Sequence, residues 1–454
     1  GDVAGAATAF EQLLTDRLRI LGPDHPDTLN TRHNLAWWRG QLGDPTTAAT
    51  AFEELLTDRL RNQGPDHPDT LTTRDNLARW RGQAGDVAGA ATAFEQLLTD
   101  RLRILGPDHP DTLNTRHNLA WWRVQAGDVA GAATAARELL TDRLRIQGPD
   151  HPDTLNTRHN LAQWRGQLGD PSGAATAFEQ LLPDRLRIQG PDHPETLNTR
   201  HNLAFWRGQA GNVTGATAVA EQLLADRLRV LGPDHPGTLT TRNNLAFWQG
   251  EAGDAAGAAA AFEQLLADHL RLQGPDHPAT LIAQNNLATW RSRAGDAAGA
   301  ATAAEELLAE LTRIQGADHP DTLTIRNNLA SWRGEAGDVV GAVAAFELLL
   351  TDRLRVLGAD HPDTLATRNN LAFWQGEAGD AAGAAAAFEQ LLADRLRLQG
   401  PDHPDTRSTR DTLAFWQGKA ERGNGDQGGN GDQGGDGGED GGEDEGEGGD
   451  QGGD

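Results

Sequence analysis

The chain has 454 residues, too many for one ordinary domain, and only 37% of them are hydrophobic, so it needs several domains or a repeat whose units each bury one face. It has no Cys, Met or Tyr and a single Lys, Lys419, which excludes disulfides and thiol chemistry. The net charge of −26 argues against nonspecific nucleic-acid binding, which needs basic phosphate contacts. No stretch approaches the roughly 20 apolar residues that span a bilayer and no signal-peptide pattern opens the chain, so no membrane partner and a cytoplasmic location are expected.

A repeat sets the organisation. Gly-Asp recurs at Gly1, Gly43, Gly85, Gly127 and Gly169, then at Gly211 (followed by Asn212), Gly253, Gly295, Gly337 and Gly379. The step is 42 residues without insertion or deletion, and ten units fill residues 1–420. The chain opens on Gly1-Asp2, a dipeptide interior to the repeat everywhere else. A processed product or a piece with an N-terminal partner domain elsewhere is the expectation.

Within a unit, helix B follows the Gly-Asp turn, as over Pro45–Gln63, with Ala48, Phe52, Leu55, Leu56 and Leu60 at helical spacing. Gly64-Pro65 ends it. In the linker that follows, Asp66 is the expected N-cap, Pro68 suits the first turn and Asp69 favours the positive end of the dipole. Helix A then runs through Leu71, Leu77, Ala78 and Trp80 to about Ala84, and Gly85 stops it. At 100° per residue, Leu29, Leu35, Ala36, Trp38 and Leu42 share one arc, while Asn30, His33, Trp37, Gly40 and Gln41 lie opposite. Trp38 has a counterpart in all ten units, which assigns it to the core.

Other patterns have structural readings. The ten linker histidines, one per unit from His25 to His403, are expected to pack at the turn beside a capping Asp, not to bind metal or catalyse. No nucleotide-binding, hydrolase or metalloprotease motif occurs in the array, so no enzyme activity and no cofactor are expected. Arg32 and Arg39 fall in the apolar arc of helix A and Arg59 in that of helix B. The position of Asp58 is acidic in every unit, which predicts a ladder of Arg–carboxylate pairs, with Leu311 replacing the Arg once. Pro183, inside the fifth helix B, is expected to kink or break it. A lone helix A over residues 404–420 ends the array. From Glu421 the chain holds 16 Gly and 12 acidic residues against one Arg, and residues 421–454 are expected to be a disordered acidic tail.

These features resemble the 42-residue class of tetratricopeptide repeat found in kinesin light chains. The Leu-Gly-Pro-Asp-His-Pro-Asp linker, the Asn-Leu-Ala that follows and the Gly-Asp turn carry the likeness. Leu35 and Ala36 fall on the family's Leu and small residue, Gly43 on its turn glycine, and Ala48 and Phe52 on its helix-B alanine and aromatic. The family's helix-A aromatic stands one residue earlier here, at Trp38 instead of Arg39, and Arg32 replaces its first helix-A hydrophobe. The resemblance implies an all-α, right-handed superhelical solenoid of stacked antiparallel helix pairs. Its composition, rich in Ala, Gly, Arg, Asp and Pro, is similar to that of proteins from GC-rich bacteria. Similar actinobacterial arrays follow a nucleotide-binding signalling ATPase domain of the NB-ARC type. A ligand-sensing regulatory segment of such an ATPase is thus the alternative to a free-standing scaffold, and a passive spacer is a third reading.

The site expectation comes from where the units disagree. One helix-A position reads Trp37, Arg79, Trp121, Gln163, Phe205, Phe247, Thr289, Ser331, Phe373 and Phe415; four residues earlier the series is His33, Asp75, His117, His159, His201, Asn243, Asn285, Asn327, Asn369 and Asp411. Residues at i and i+4 share a helix face, and in tetratricopeptide arrays the equivalent positions line the concave groove. The resemblance therefore implies that these residues form one strip that binds a protein or peptide partner, with the aromatics as exposed anchors.

Overall fold

The computed structural model describes residues 2–427. They form two compact units, divided between Asp268 and His269. The first holds α1 (Val3–Leu21), α2 (Pro26–Gln41), α3 (Pro45–Gln63), α4 (Pro68–Gln83), α5 (Val87–Leu105), α6 (Pro110–Gln125), α7 (Val129–Ile146), α8 (Pro152–Gln167), α9 (Pro171–Gln189), α10 (Pro194–Gln209), α11 (Val213–Leu231) and α12 (Pro236–Glu251), and it ends inside α13 (Ala255–Gln273). The second continues with α14 (Pro278–Arg293), α15 (Ala297–Gln315), α16 (Pro320–Glu335), α17 (Val339–Val356), α18 (Pro362–Glu377), α19 (Ala381–Gln399) and α20 (Pro404–Gln427). The described residues contain helices and turns and no strand. In each unit the extensive contacts join consecutive helices, and α2, α8, α10 and α16 also touch the second helix onward. That nearest-neighbour pattern makes each unit a solenoid.

Local chemistry sets the helix ends. Each helix B begins at an Asp or Asn whose carboxylate or amide oxygen accepts the N–H three residues on, as Asp44 does from Thr47 at 2.9 Å. The glycine before it is left-handed, with φ of 95° at Gly43, a conformation that costs other residues a Cβ clash. Helix A is capped differently from the expectation. Pro26 occupies the first helical position, so the capping residue is His25, whose Nδ1 accepts the Asp27 N–H at 3.2 Å. All ten linker histidines make this bond, through to His403 with Asp405. The linker Asp lies one residue too early to cap. It holds an Arg of the next helix B instead, as Asp108 holds Arg145 at 2.6 Å.

The core repeats with the sequence. Phe52, Phe94, Phe178, Phe262, Phe346 and Phe388 are fully buried, and Trp80, Trp122, Trp164, Trp206, Trp248, Trp290, Trp332, Trp374 and Trp416 are buried beside them. At six steps the Trp ring lies on the previous helix A where a glycine clears space. A Cβ on Gly40 would stand 2.4 Å from Trp80. Trp38, the first of the series, is half-buried. Leu42 leaves the expected buried arc and is 52% exposed, because it sits past the last helical residue of α2. Pro183 does not break α9, which runs uninterrupted to Gln189. The last helix continues to Gln427 and takes in the first seven residues of the expected tail; the remainder of that tail lies outside the described residues.

Two arginine systems tie the helices together. Arg32-type residues pair with the carboxylate of their own helix B, at 2.6 Å for Arg32–Asp58 and 2.7 Å for Arg116–Asp142, as the ladder predicted. Arg39 is not in the apolar arc; its half-exposed guanidinium meets Glu11 of the preceding helix B at 2.9 Å. Arg59 is buried without a carboxylate bonded to it, which corrects the other half of the ladder. Its Nη2 donates to Asn30 Oδ1 at 2.7 Å, and its Nη1 to the Asp69 carbonyl at 2.5 Å and to Thr73 Oγ1 at 3.0 Å. Arg143 repeats the arrangement with Asn114, the Asp153 carbonyl and Thr157 at 2.7–2.9 Å. One guanidinium thus joins three successive helices.

Arg and this Thr occur together at eight of the ten positions and change together at the other two, to His269 with Ala283 and to Leu311 with Ile325. At the second exception the Asn30 position is also apolar, Ile282. Arg143→Leu alone should therefore cost about 2–4 kcal/mol, because three buried oxygens lose a charged donor. Adding Asn114→Ile and Thr157→Ile should recover at least half of that. Chemical denaturation of the single and triple variants decides; a triple variant weaker than the single one would show that the three residues do not act as a set.

Candidate functional site

The two expected site series prove to have different surroundings. The His33 position is not on a solvent face. His33 lies edge-on against Phe52 of its own helix B at 5.1 Å between centroids, and His159 against Phe178 at 5.0 Å. The next helix A supplies an Asn to each ring, with Asn76 Nδ2 at 3.1 Å from His33 Nε2 and Asn202 Nδ2 at 2.9 Å from His159 Nε2. Desolvation lowers the pKa of His33, His117, His159 and His201 to about 4, with the buried Arg of the adjoining helix B adding to the shift. Asp75 sits in the same place and accepts from Arg101 Nη1 at 3.0 Å; burial still pushes its carboxyl above the usual range. In the second unit, Asn370 Nδ2 donates to Asn327 at 3.3 Å, while Asn285 Oδ1 is buried without a hydrogen-bond partner. Asn243 and Asn369 are half-buried, like the histidines. Where the neighbouring Arg is present, its guanidinium accounts for the neutral or acidic residue at this position.

The Trp37 position is the one that meets solvent. Trp121 is 40% exposed and Phe373 39%, Phe415 is exposed, and Trp37, Arg79, Gln163, Phe205, Phe247, Thr289 and Ser331 are intermediate. The aromatics rest edge-on against buried tryptophans: Trp37 on Trp80 of the next helix A, and Trp121, Phe205 and Phe247 on the Trp that follows each in sequence, at 4.6–5.5 Å between centroids. Gln163 Oε1 accepts from Trp206 Nε1 at 2.9 Å. A rigid ring supports each exposed one, which keeps the entropy cost of using it as an anchor low.

Two clefts flank Trp121. One of about 290 Å3 is lined by His117, Trp121, Asn156, His159, Asn160 and Glu195, and one of about 250 Å3 by Arg79, Gln83, His117, Asn118, Trp121 and Trp122. The Phe52-type ring is missing at this step, where the equivalent residue is Ala136. This departure was visible in the sequence, but its effect on His117 becomes apparent only when the helices are packed. The other residues not singled out from the sequence are Ile282 and Ile325, whose significance lies in their joint replacement with Leu311.

The low histidine pKa values predict a pH dependence. The unfolded chain takes up protons near the usual 6.5 and the folded one only near 4, so stability is complete above pH 6.5 and falls as the pH drops towards 4. Each buried histidine should cost up to about 2 kcal/mol by pH 5. A variant carrying His117→Asn, His159→Asn and His201→Asn, with the residue that Asn243 and Asn327 already provide, should lose less melting temperature between pH 7 and pH 5. Parallel pH curves for variant and wild type would refute the assignment.

Tetratricopeptide repeat models match residues 1–60 and 195–269, and residues 70–111, 112–153, 154–195, 322–363 and 364–405. No curated protein matches the chain. Among solved structures it is similar to the kinesin light chain nearly identical TPR-like repeats of Podosopora anserina, with 28% identity over 46% of this chain and 98% of that one at a TM-score of 0.42. The fold also matches the apo form of RapI, at 10% identity over 82% of this chain and 98% of that one with a TM-score of 0.56. A signal transduction ATPase with a tetratricopeptide repeat sensor from Pyrococcus horikoshii gives 10% identity over 81% of this chain and 55% of that one, with a TM-score of 0.52. No helix among the described residues is long and apolar enough to cross a membrane. With the repeat matched along most of its length, the chain belongs to the tetratricopeptide repeat family.

Proposed function

We propose that the array is a protein- or peptide-binding scaffold whose first unit presents the Trp37-type side chains, centred on Trp121, to its partner. The carrying observation is a supported, 40% exposed Trp121 with a cleft on either side. Aromatic anchors between small clefts suit an extended segment that places successive side chains beside the rings. The histidine series contributes through His117 and His159, which line the cleft walls, and its other members set the spacing of the helices. The ATPase-regulatory alternative shares this fold with the Pyrococcus horikoshii sensor, a likeness of fold alone, and the binding strip would serve it equally.

The test uses peptides selected on the whole chain from a displayed library of random dodecapeptides. Trp121→Ser should weaken the selected peptides at least tenfold while leaving the helical signal unchanged. Adding Phe205→Ser and Phe247→Ser should abolish binding, at some cost in melting temperature because Phe205 also packs on the core. Undiminished affinity in the Trp121→Ser protein would overturn the reading.

A further inference from the structure

The second unit holds one step of the array built on a different principle. Around Arg143, an Asn, a Thr and a backbone carbonyl surround a guanidinium; around Leu311, the same positions hold Ile282 and Ile325. Leu311 and Ile325 are buried with Leu281 and Leu307 in an all-apolar cluster. The shorter Leu leaves a cleft of about 380 Å3 between α14, α15 and α16. Ile282 and Ile314 line it too, and they are 56% and 40% exposed. Two isoleucines left in solvent at the opening of an apolar cleft are costly unless something covers them.

Charge at this step is also unbalanced. The Arg32 position is Gln284 and the Arg59 position is Leu311, so both cations are lost, yet their acidic neighbours remain as Glu310 and Asp321. Glu310 Oε2 is buried with no hydrogen-bond partner. Asp321 lines the cleft; its carboxylate is largely exposed, 3.7 Å from His319 Nδ1, and the guanidinium that stands 3.9 Å from Asp153 in the Arg143 step is replaced here by Leu311. The cleft therefore pairs an apolar interior with an exposed carboxylate at its rim.

We propose that this cleft seats one aliphatic or aromatic side chain of a basic peptide segment of a partner protein, with a Lys or Arg of that segment beside Asp321. The occupant is a peptide because the apolar surface continues from the cleft onto the exposed Ile282 and Ile314. Small-molecule sites usually bury about 70–90% of their ligand, whereas a side chain needs only its tip enclosed while its backbone runs on over Ile282 and Ile314. A cation suits the segment because Asp321 would otherwise lose water with nothing in exchange. The inference rests on the scaffold reading above but uses a different step of the array.

The experiment repeats the dodecapeptide selection on the whole chain and on a variant in which Ile282→Asn, Leu311→Arg and Ile325→Thr rebuild the common set. That variant should melt no lower than wild type. Wild-type selection should enrich peptides with Leu, Ile, Met or Phe within a few residues of Lys or Arg. The rebuilt variant should bind them at least tenfold more weakly, and Asp321→Asn should weaken them several-fold and reduce their salt dependence. Peptides that bind wild type and the rebuilt variant equally, or an enriched set without basic residues, overturn the proposal. If selected peptides are lost on Trp121→Ser but not on rebuilding the set, this inference fails and the scaffold reading stands. The reverse pattern leaves this cleft as the binding site and removes the Trp121 strip; no binding to wild type removes both.

Discussion

In seven of the repeats a single buried guanidinium fixes how one helix pair follows the next. Arg59 reaches back 29 residues to Asn30 and forward 10 and 14 residues to the Asp69 carbonyl and Thr73. An insertion or deletion anywhere in that span would pull a charged donor off buried oxygens, at a cost of several kcal/mol. The 42-residue step satisfies this constraint wherever the Arg is present. There the neutral or acidic character of the His33 series fits as well, since a second cation beside a buried Arg would face like-charge repulsion with little water to screen it. Outer pairs such as Arg145–Asp108 are exposed on both sides and add orientation more than stability.

Much of this was legible beforehand. The bounds of α3 were read correctly as Pro45–Gln63 because Pro, Gly and a capping Asp mark them chemically. The Trp80-type core followed from its recurrence alone. What escaped was whatever depended on a second helix. A helical wheel gives the direction of His33 but cannot show that Phe52 and Asn76, 19 and 43 residues away, close over the ring. For the same reason it placed Arg59 beside the adjacent Asp58, although that Asp belongs to Arg32. The cap was misassigned by one residue: Asp is the commoner capping residue, but Pro26 fixes where the helix starts, and that leaves His25 at the cap.

The candidate site was half legible on the same grounds. Sequence variation singled out the Trp37 position, and it is the position that reaches solvent; the His33 series varied within a packing constraint. Variation by itself marks both kinds of position. Separating them needs the identities allowed: Trp, Phe, Arg, Gln, Thr and Ser share no packing role, whereas His, Asn and Asp share the ability to sit next to a guanidinium.

In a chain this regular, a feature that distinguishes one step from its neighbours must come from a departure. Phe52-type rings give way to Ala136, Ala220 and Ala304, and the steps of Ala136 and Ala304 carry clefts. Truncating a core side chain leaves space only where the walls cannot close in. In a solenoid each helix is held from both sides by its neighbours, so collapse at one step would strain the ladders at the next. The Ala136 step keeps its guanidinium, Arg143, and its clefts have polar walls. The Ala304 step loses its guanidinium too, and its cleft is apolar with carboxylates beside it. The two departures from one repeat thus differ in chemistry, one polar and guanidinium-held, the other apolar.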